Sequence, residues 1–142
     1  MESMNQLNTG AGSSNSSSSK ISALIVDDDA VTGKIHKTLL ESLFKIETKT
    51  VKDGKEAVNL CRSGAKFDII FMDKEMPIMD GVEATKQLRA MGVKSMIVGI
   101  TSRADGKETQ EFLAAGLNHC LEKPLKRAMV EVVLRELKNL SI

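Results

Sequence analysis

The stretch IIFMDKEMPIMDG, residues 69–81, decides how this chain is read. Four apolar residues run without interruption into Asp73. A short uniform run of that kind suits a strand buried on both faces, as a parallel sheet requires. A carboxylate at the end of such a strand is costly to bury unless partners wait for it. Met76-Pro77 and Asp80-Gly81 then punctuate the chain before a helical pattern resumes. The rest of the sequence has to supply the partners of Asp73.

Outward from that stretch the chain alternates. SALIV (22–26) is a second continuous apolar run, followed by a helical pattern with Val31, Ile35, Leu39 and Leu43 at four-residue steps. IETKTV (46–51) alternates as a half-buried strand does, and Asp53-Gly54 makes a turn. A helix with Ala57, Val58 and Cys61 on one face leads to residues 69–72, and a further helix lies around 82–91. MIVGI (96–100) is the fourth run. A polar helix near 107–115 carries Phe112 and Leu113 and stops at Gly116. A short strand at HCL (119–121) precedes a final helix striped by Met129, Val133, Leu137 and Leu140. Five strand-like runs alternating with five helical patterns predict an α/β domain whose parallel sheet is covered on both faces. Residues 1–20 are rich in Ser, Asn and Gly and read as a disordered tail, which leaves one domain over 21–142.

In open parallel sheets, ligands bind beyond the carboxyl ends of the strands. Asp27, Asp28 and Asp29 follow the first run, Asp73 the third, Thr101 and Ser102 the fourth, and Lys123-Pro124 the fifth. Asp27, Asp28 and Asp73 together bring a formal charge of about −3 into a small volume, which raises their pKa values unless a cation offsets it. A hard divalent cation with oxygen ligands suits such a set, and Mg²⁺ is the expectation. Beside that cation, Lys123 offers a point charge and Thr101 a hydroxyl to a tetrahedral anion. These are the requirements of phosphoryl transfer, in which a protein mainly positions groups and neutralises charge. Asp73 is the candidate nucleophile, becoming an acyl phosphate.

Composition removes other classes. The net charge is +1, so no field of one sign marks a nucleic-acid or anionic-membrane surface. With four Phe and no Trp or Tyr there is no stacking platform for single strands. Cys61 and Cys120 have neither metal-ligand nor disulfide spacing, and no run approaches the roughly 18 apolar residues of a membrane span. A soluble protein of a reducing compartment is expected, with the cytoplasm first and the nucleus second.

LIVDDD, IIFMDKEMPIMDG, GITS and LEKPL occur in an order and at spacings that resemble the response-regulator receiver domains of two-component phosphorelays, over about residues 21–140. The resemblance implies a flavodoxin-like fold, a five-stranded parallel sheet in the order 2-1-3-4-5 with helices on both faces. It also implies roles. Asp73 accepts phosphate from a histidine phosphotransfer protein and ligates Mg²⁺ with Asp27, Asp28 and the backbone carbonyl of Glu75. Thr101 and Lys123 respond to the phosphoryl group, the Lys123–Pro124 bond is cis, and Gly81 permits the turn after Met76-Pro77. Glu75 and Arg103 tune the attack of water on the acyl phosphate and can pair over the pocket. MIVGITS and GLNHCLEKPL are most similar to plant stand-alone receivers, which implies cytokinin-type signalling and a phosphate sink, shuttle or competitor without an output domain. Such a protein catalyses its own phosphorylation and dephosphorylation but turns over no external metabolite. Partners would be a histidine phosphotransfer protein, docked on the first helix around Ile35 and Leu39 and on the MPIMDG loop, and neither DNA nor membrane; a monomer is the default.

One position departs from the pattern. Many receivers carry Tyr or Phe three residues before the site lysine, and here Cys120 stands there, so output through the last strand and its flanking helices is expected to be weakened or altered. Single residues also have plainer readings. Asp27–Asp29 alone would pass as a helix cap, His36 as a helix-surface residue, His119 as a neighbour of the site strand, and Cys61 and Cys120 as small core hydrophobes. Two competing functions follow. A flavin carrier of this fold needs a Ser/Thr-rich phosphate loop where this chain has DDDAVTG (27–33), and a docking module would not need Asp27, Asp28, Asp73, Thr101 and Lys123 together.

Overall fold

A computed structural model describes residues 20–140, so the Ser-rich stretch expected to be a tail lies almost wholly outside the described residues. Strand and helix alternate from end to end: β1 (Ser22–Val26), α1 (Ala30–Phe44), β2 (Glu47–Val51), α2 (Gly54–Arg62), β3 (Ile69–Asp73), α3 (Gly81–Ala90), β4 (Met96–Thr101), α4 (Gly106–Ala114), β5 (His119–Glu122) and α5 (Arg127–Leu140). The five strands form one sheet in the order β2-β1-β3-β4-β5, and every pair is parallel. This is the order that the family resemblance implies.

The uninterrupted apolar runs are explained by two cores, one on each face of the sheet. Along β1 and β3, Ala23, Ile25, Ile69 and Phe71 point to one face, where they meet Leu40 of α1 and Val130 and Val133 of α5. Leu24, Val26, Ile70 and Met72 point to the other, where Ala57, Val58, Ala84, Leu88 and Phe112 come from α2, α3 and α4. Burying each large side chain of these strands contributes roughly 1.5–3 kcal/mol. The edge strand β2 is mostly exposed and carries Glu47 and Lys49 on its open side, charges of the kind that disfavour edge-to-edge pairing. No described helix is long and apolar enough to cross a membrane.

Three local readings are corrected. Three of the four stripe residues of α1 face water, Val31 68%, Ile35 54% and Leu43 51% exposed, and only Leu39 packs inward. The face against the sheet is instead Gly33, His36 and Leu40. His36 is therefore not on the helix surface: it is buried, 1% exposed. Periodicity marks an apolar stripe, but which stripe meets the sheet depends on the angle at which the helix returns from β1. The third correction concerns Gly81, which opens α3 and is absent from the left-handed backbone positions; Ile78 makes that turn, with φ 70°. Gly81 is required for another reason. A Cβ there would collide with the backbone carbonyl of Asp73, and Gly81 N–H donates to Lys74 O at 2.8 Å. The close approach of α3 to the end of β3 is what the glycine allows.

Candidate functional site

The strand ends on the carboxyl side converge as the register requires. Asp73 is the last residue of β3, Thr101 the last of β4, opposite Glu122, and Asp27 directly follows β1. Lys123 follows β5 and its N–H donates to Thr101 O at 2.8 Å. The Lys123–Pro124 peptide is cis. Asp29 caps α1, accepting from the N–H groups of Val31 and Thr32 and from the Thr32 hydroxyl. Asp27 accepts from Asp29 N–H at 2.8 Å, so its carboxylate is held by a local turn.

The acidic cluster is real in space. Asp27, Asp28 and Asp73 each offer a carboxylate oxygen, and these oxygens lie within 4.8 Å of one another. Asp27 and Asp73 are 5% and 2% exposed, whereas Asp28 faces water. Lys123 Nζ stands 3.1 Å from Asp73 Oδ1 and 3.6 Å from Asp27 Oδ2. The approach to Asp73 is off the hydrogen-bonding line, so Asp73 Oδ1 remains a buried acceptor without a hydrogen bond. Burial, and then the charge of Asp27, push the Asp73 carboxyl up to about 6. Burial opposes the charge on Lys123, but Asp73 and Asp27 outweigh it and hold the ammonium above the usual lysine value.

This donor set fits a small hard cation. It offers three carboxylates, one at the rim where water ligands can enter, and one buried oxygen that lacks a donor. Glu75 is at the surface and its side chain lies 3.8 Å from Lys74. No ion pair joins Glu75 to Arg103 among the described residues, so the pairing expected over the pocket is not formed; Arg103 is exposed and uses its N–H to reach the Thr101 hydroxyl at 3.3 Å. Ser102 is exposed. Cys120 and Cys61 are half-buried against the second core, a shallower position than a core hydrophobe. Burial raises both thiols. Beside Cys120 on β4 lies Gly99, against whose backbone Phe112 and Leu117 pack closely.

Two participants were not legible beforehand. Lys74, mostly buried, lies 3.6 Å from Glu108 and so links the end of β3 to the first turn of α4. His36 reaches the loop after Lys123: its Nε2 accepts from Leu125 N–H at 3.2 Å. Nothing in the sequence marked it, because the inner face of α1 is set by how the helix packs on the sheet. His119, by contrast, bonds to Glu136 of α5 at 2.9 Å, away from the carboxylates.

Comparison with known proteins agrees with this geometry. The family described as response regulator receiver domain matches residues 23–135. The two-component response regulator ARR22 of Arabidopsis thaliana is 54% identical over 112 residues, covering 78% of each chain. Two-component response regulator 24 of the same plant is 47% identical over 123 residues, covering 87% of this chain and 88% of its own. Among solved structures, the receiver domain of the sensor histidine kinase PA1611 from Pseudomonas aeruginosa, with magnesium coordinated in its active-site cleft, superposes with a TM-score of 0.73 at 30% identity, over 83% of this chain and 97% of that one. The receiver domain of Ssk1 from Saccharomyces cerevisiae, crystallised with the histidine phosphotransfer protein Ypd1, gives a TM-score of 0.69 at 30% identity, over 79% of this chain and 84% of that one.

Proposed function

The chain belongs to the response regulator receiver family, and we propose that within it this protein is a phosphoacceptor in a His-to-Asp phosphorelay, with Asp73 as the acceptor. The observation that carries the reading is the meeting of Asp27, Asp28, Asp73 and Lys123 at one sheet edge, with Asp73 Oδ1 buried beside an ammonium and lacking a hydrogen bond. In the reaction, an Asp73 carboxylate oxygen forms a bond to phosphorus as the P–N bond to the donor imidazole breaks, and the imidazole nitrogen keeps the electron pair. Lys123 draws one phosphoryl oxygen and balances its charge, and the Thr101 hydroxyl donates to another. Asp27, Asp28, Asp73 and the Glu75 carbonyl would hold Mg²⁺, which offsets the negative charge gathered there. Hydrolysis returns the carboxylate, with Glu75 and Arg103 at the rim where water enters. Cys120 lacks the ring that would move inward, so the readout on α4, β5 and α5 is small.

The donor would be a histidine phosphotransfer protein, a helical bundle that packs on an apolar surface. Ala30, Val31, Lys34, Ile35 and Thr38 line a shallow apolar depression on α1, and Ile78 stands 78% exposed on the loop after β3. Leu39 belongs to the packed side of the helix and is not part of that surface. Likeness to the Arabidopsis two-component response regulators supports the phosphorelay reading, and within it the role proposed is that of a stand-alone sink, shuttle or competitor in cytokinin-type signalling, in cytoplasm and nucleus, as a monomer that binds no DNA. The test is incubation with phosphoramidate, with and without Mg²⁺, followed by mass spectrometry. A phosphoryl group gained on Asp73 only with the metal is expected; no gain, or a gain elsewhere, would refute the reading.

A further inference from the structure

His36 is the one buried imidazole of the described chain, and a core position of α1 would ordinarily hold an apolar side chain. Its Nε2 accepts from the backbone N–H of Leu125, 89 residues away in sequence and two residues beyond Lys123. An accepting Nε2 places the proton on Nδ1, and Nδ1 is buried with no partner. A buried donor without a partner costs about 1–3 kcal/mol. Burial lowers the pKa of the ring, so the neutral, accepting form is the one present. The loop that His36 holds is otherwise thinly secured: Pro124 has no N–H, and the preceding bond to the sheet is Lys123 N–H to Thr101 O. Leu125 itself is buried in the same core as Leu40 and Val130.

We propose that His36 is a positioning residue for phosphoryl transfer: by anchoring Leu125 N–H it fixes the Lys123-Pro124-Leu125 segment and so the place of the Lys123 ammonium between Asp27 and Asp73. This rests on the phosphoacceptor reading. Helix α1 thereby reaches the phosphorylation site from both of its sides, presenting Val31 and Ile35 to solvent and His36 to the lysine loop. His36 does not contact the transferring group, so its loss leaves the carboxylates in place while Lys123 loses its fixed position.

The test compares His36→Leu, which keeps bulk without an acceptor, with His36→Gln, whose amide oxygen can replace Nε2. Three readouts are taken: the rate of phosphorylation by phosphoramidate with Mg²⁺, the Mg²⁺ affinity from fluorescence-free calorimetry, and thermal unfolding. The expected result is a roughly tenfold slower phosphorylation of His36→Leu, unchanged Mg²⁺ affinity, and partial rescue in His36→Gln. Equal rates for His36→Leu and wild type would overturn the inference. So would a loss of Mg²⁺ affinity in parallel with the rate, which marks general disorder of the site. If His36→Leu does not fold, His36→Phe takes its place with the same criteria. Wild type separates the two claims: failure of wild type to be phosphorylated defeats the phosphoacceptor reading itself.

Discussion

At the scale of residues, the site is a compromise between burial and charge. Asp73 sits 2% exposed with its carboxyl raised from 3.8 to about 6, because desolvation and Asp27 together exceed what Lys123 returns. The folded protein therefore holds that proton more tightly than the unfolded chain, and metal-free stability falls as pH rises from about 4 to about 6. Asp73→Asn removes the fall. In chelator at pH 7 the variant should be more stable than wild type by on the order of 1–3 kcal/mol, measured by urea unfolding; a less stable variant would mean that the carboxylate is better satisfied than the geometry indicates. His36 has the opposite sign. Its pKa is lowered in the fold, so the unfolded chain gains the proton first as pH falls below about 6.5, and stability declines there. The decline should be visible in Asp73→Asn, where the Asp73 contribution is absent, and should vanish in Asp73→Asn/His36→Leu. Asp27, Asp28, Asp73, Thr101 and Lys123 could be picked out from the sequence because polar residues after buried runs are conspicuous. His36 could not, since a lone histidine at helical spacing carries no sign of which face it takes.

At the scale of elements, strands were the legible part. Runs such as SALIV and MIVGI are apolar at every position because both faces of β1 and β4 are covered. The strand bounds differ from the sequence reading by one residue, chiefly because Asp73, Thr101 and Glu122 continue the ladder although they are polar. Helices were found, and the face of α2 with Ala57, Val58 and Cys61 packs on the second core, but the α1 stripe was misoriented, with Val31, Ile35 and Leu43 on its wet side. Gly81 shows why a residue can be correctly singled out for the wrong reason, its role being close approach rather than a left-handed turn. Gly81→Ala should cost about 2 kcal/mol or more, since the obstructing atom is backbone and cannot rotate away. It should also slow phosphorylation, because the atom displaced belongs to Asp73. At Gly92, with φ 88° and open space around it, Ala should cost about 1 kcal/mol and leave phosphorylation unchanged. Equal effects at the two glycines would contradict this packing of α3 on β3.

At the scale of the whole molecule, the fold brings four strand ends to one edge and leaves an apolar patch of α1 beside them. Val31→Asp and Ile35→Asp lie on that exposed patch and should barely move the unfolding temperature. Each should slow transfer from a histidine phosphotransfer protein at least about tenfold while phosphorylation by phosphoramidate stays at the wild-type rate. Saturating Mg²⁺ should raise the stability of wild type by about 2 kcal/mol, and that of Asp73→Asn by less. The most direct measurement is transfer of radiolabelled phosphate, with Mg²⁺, from a phosphorylated histidine phosphotransfer protein to wild type and to Asp73→Asn. Label should appear on wild type, or leave the donor as free phosphate, only where Asp73 is intact. A donor that keeps its label equally with both proteins would contradict the phosphoacceptor function.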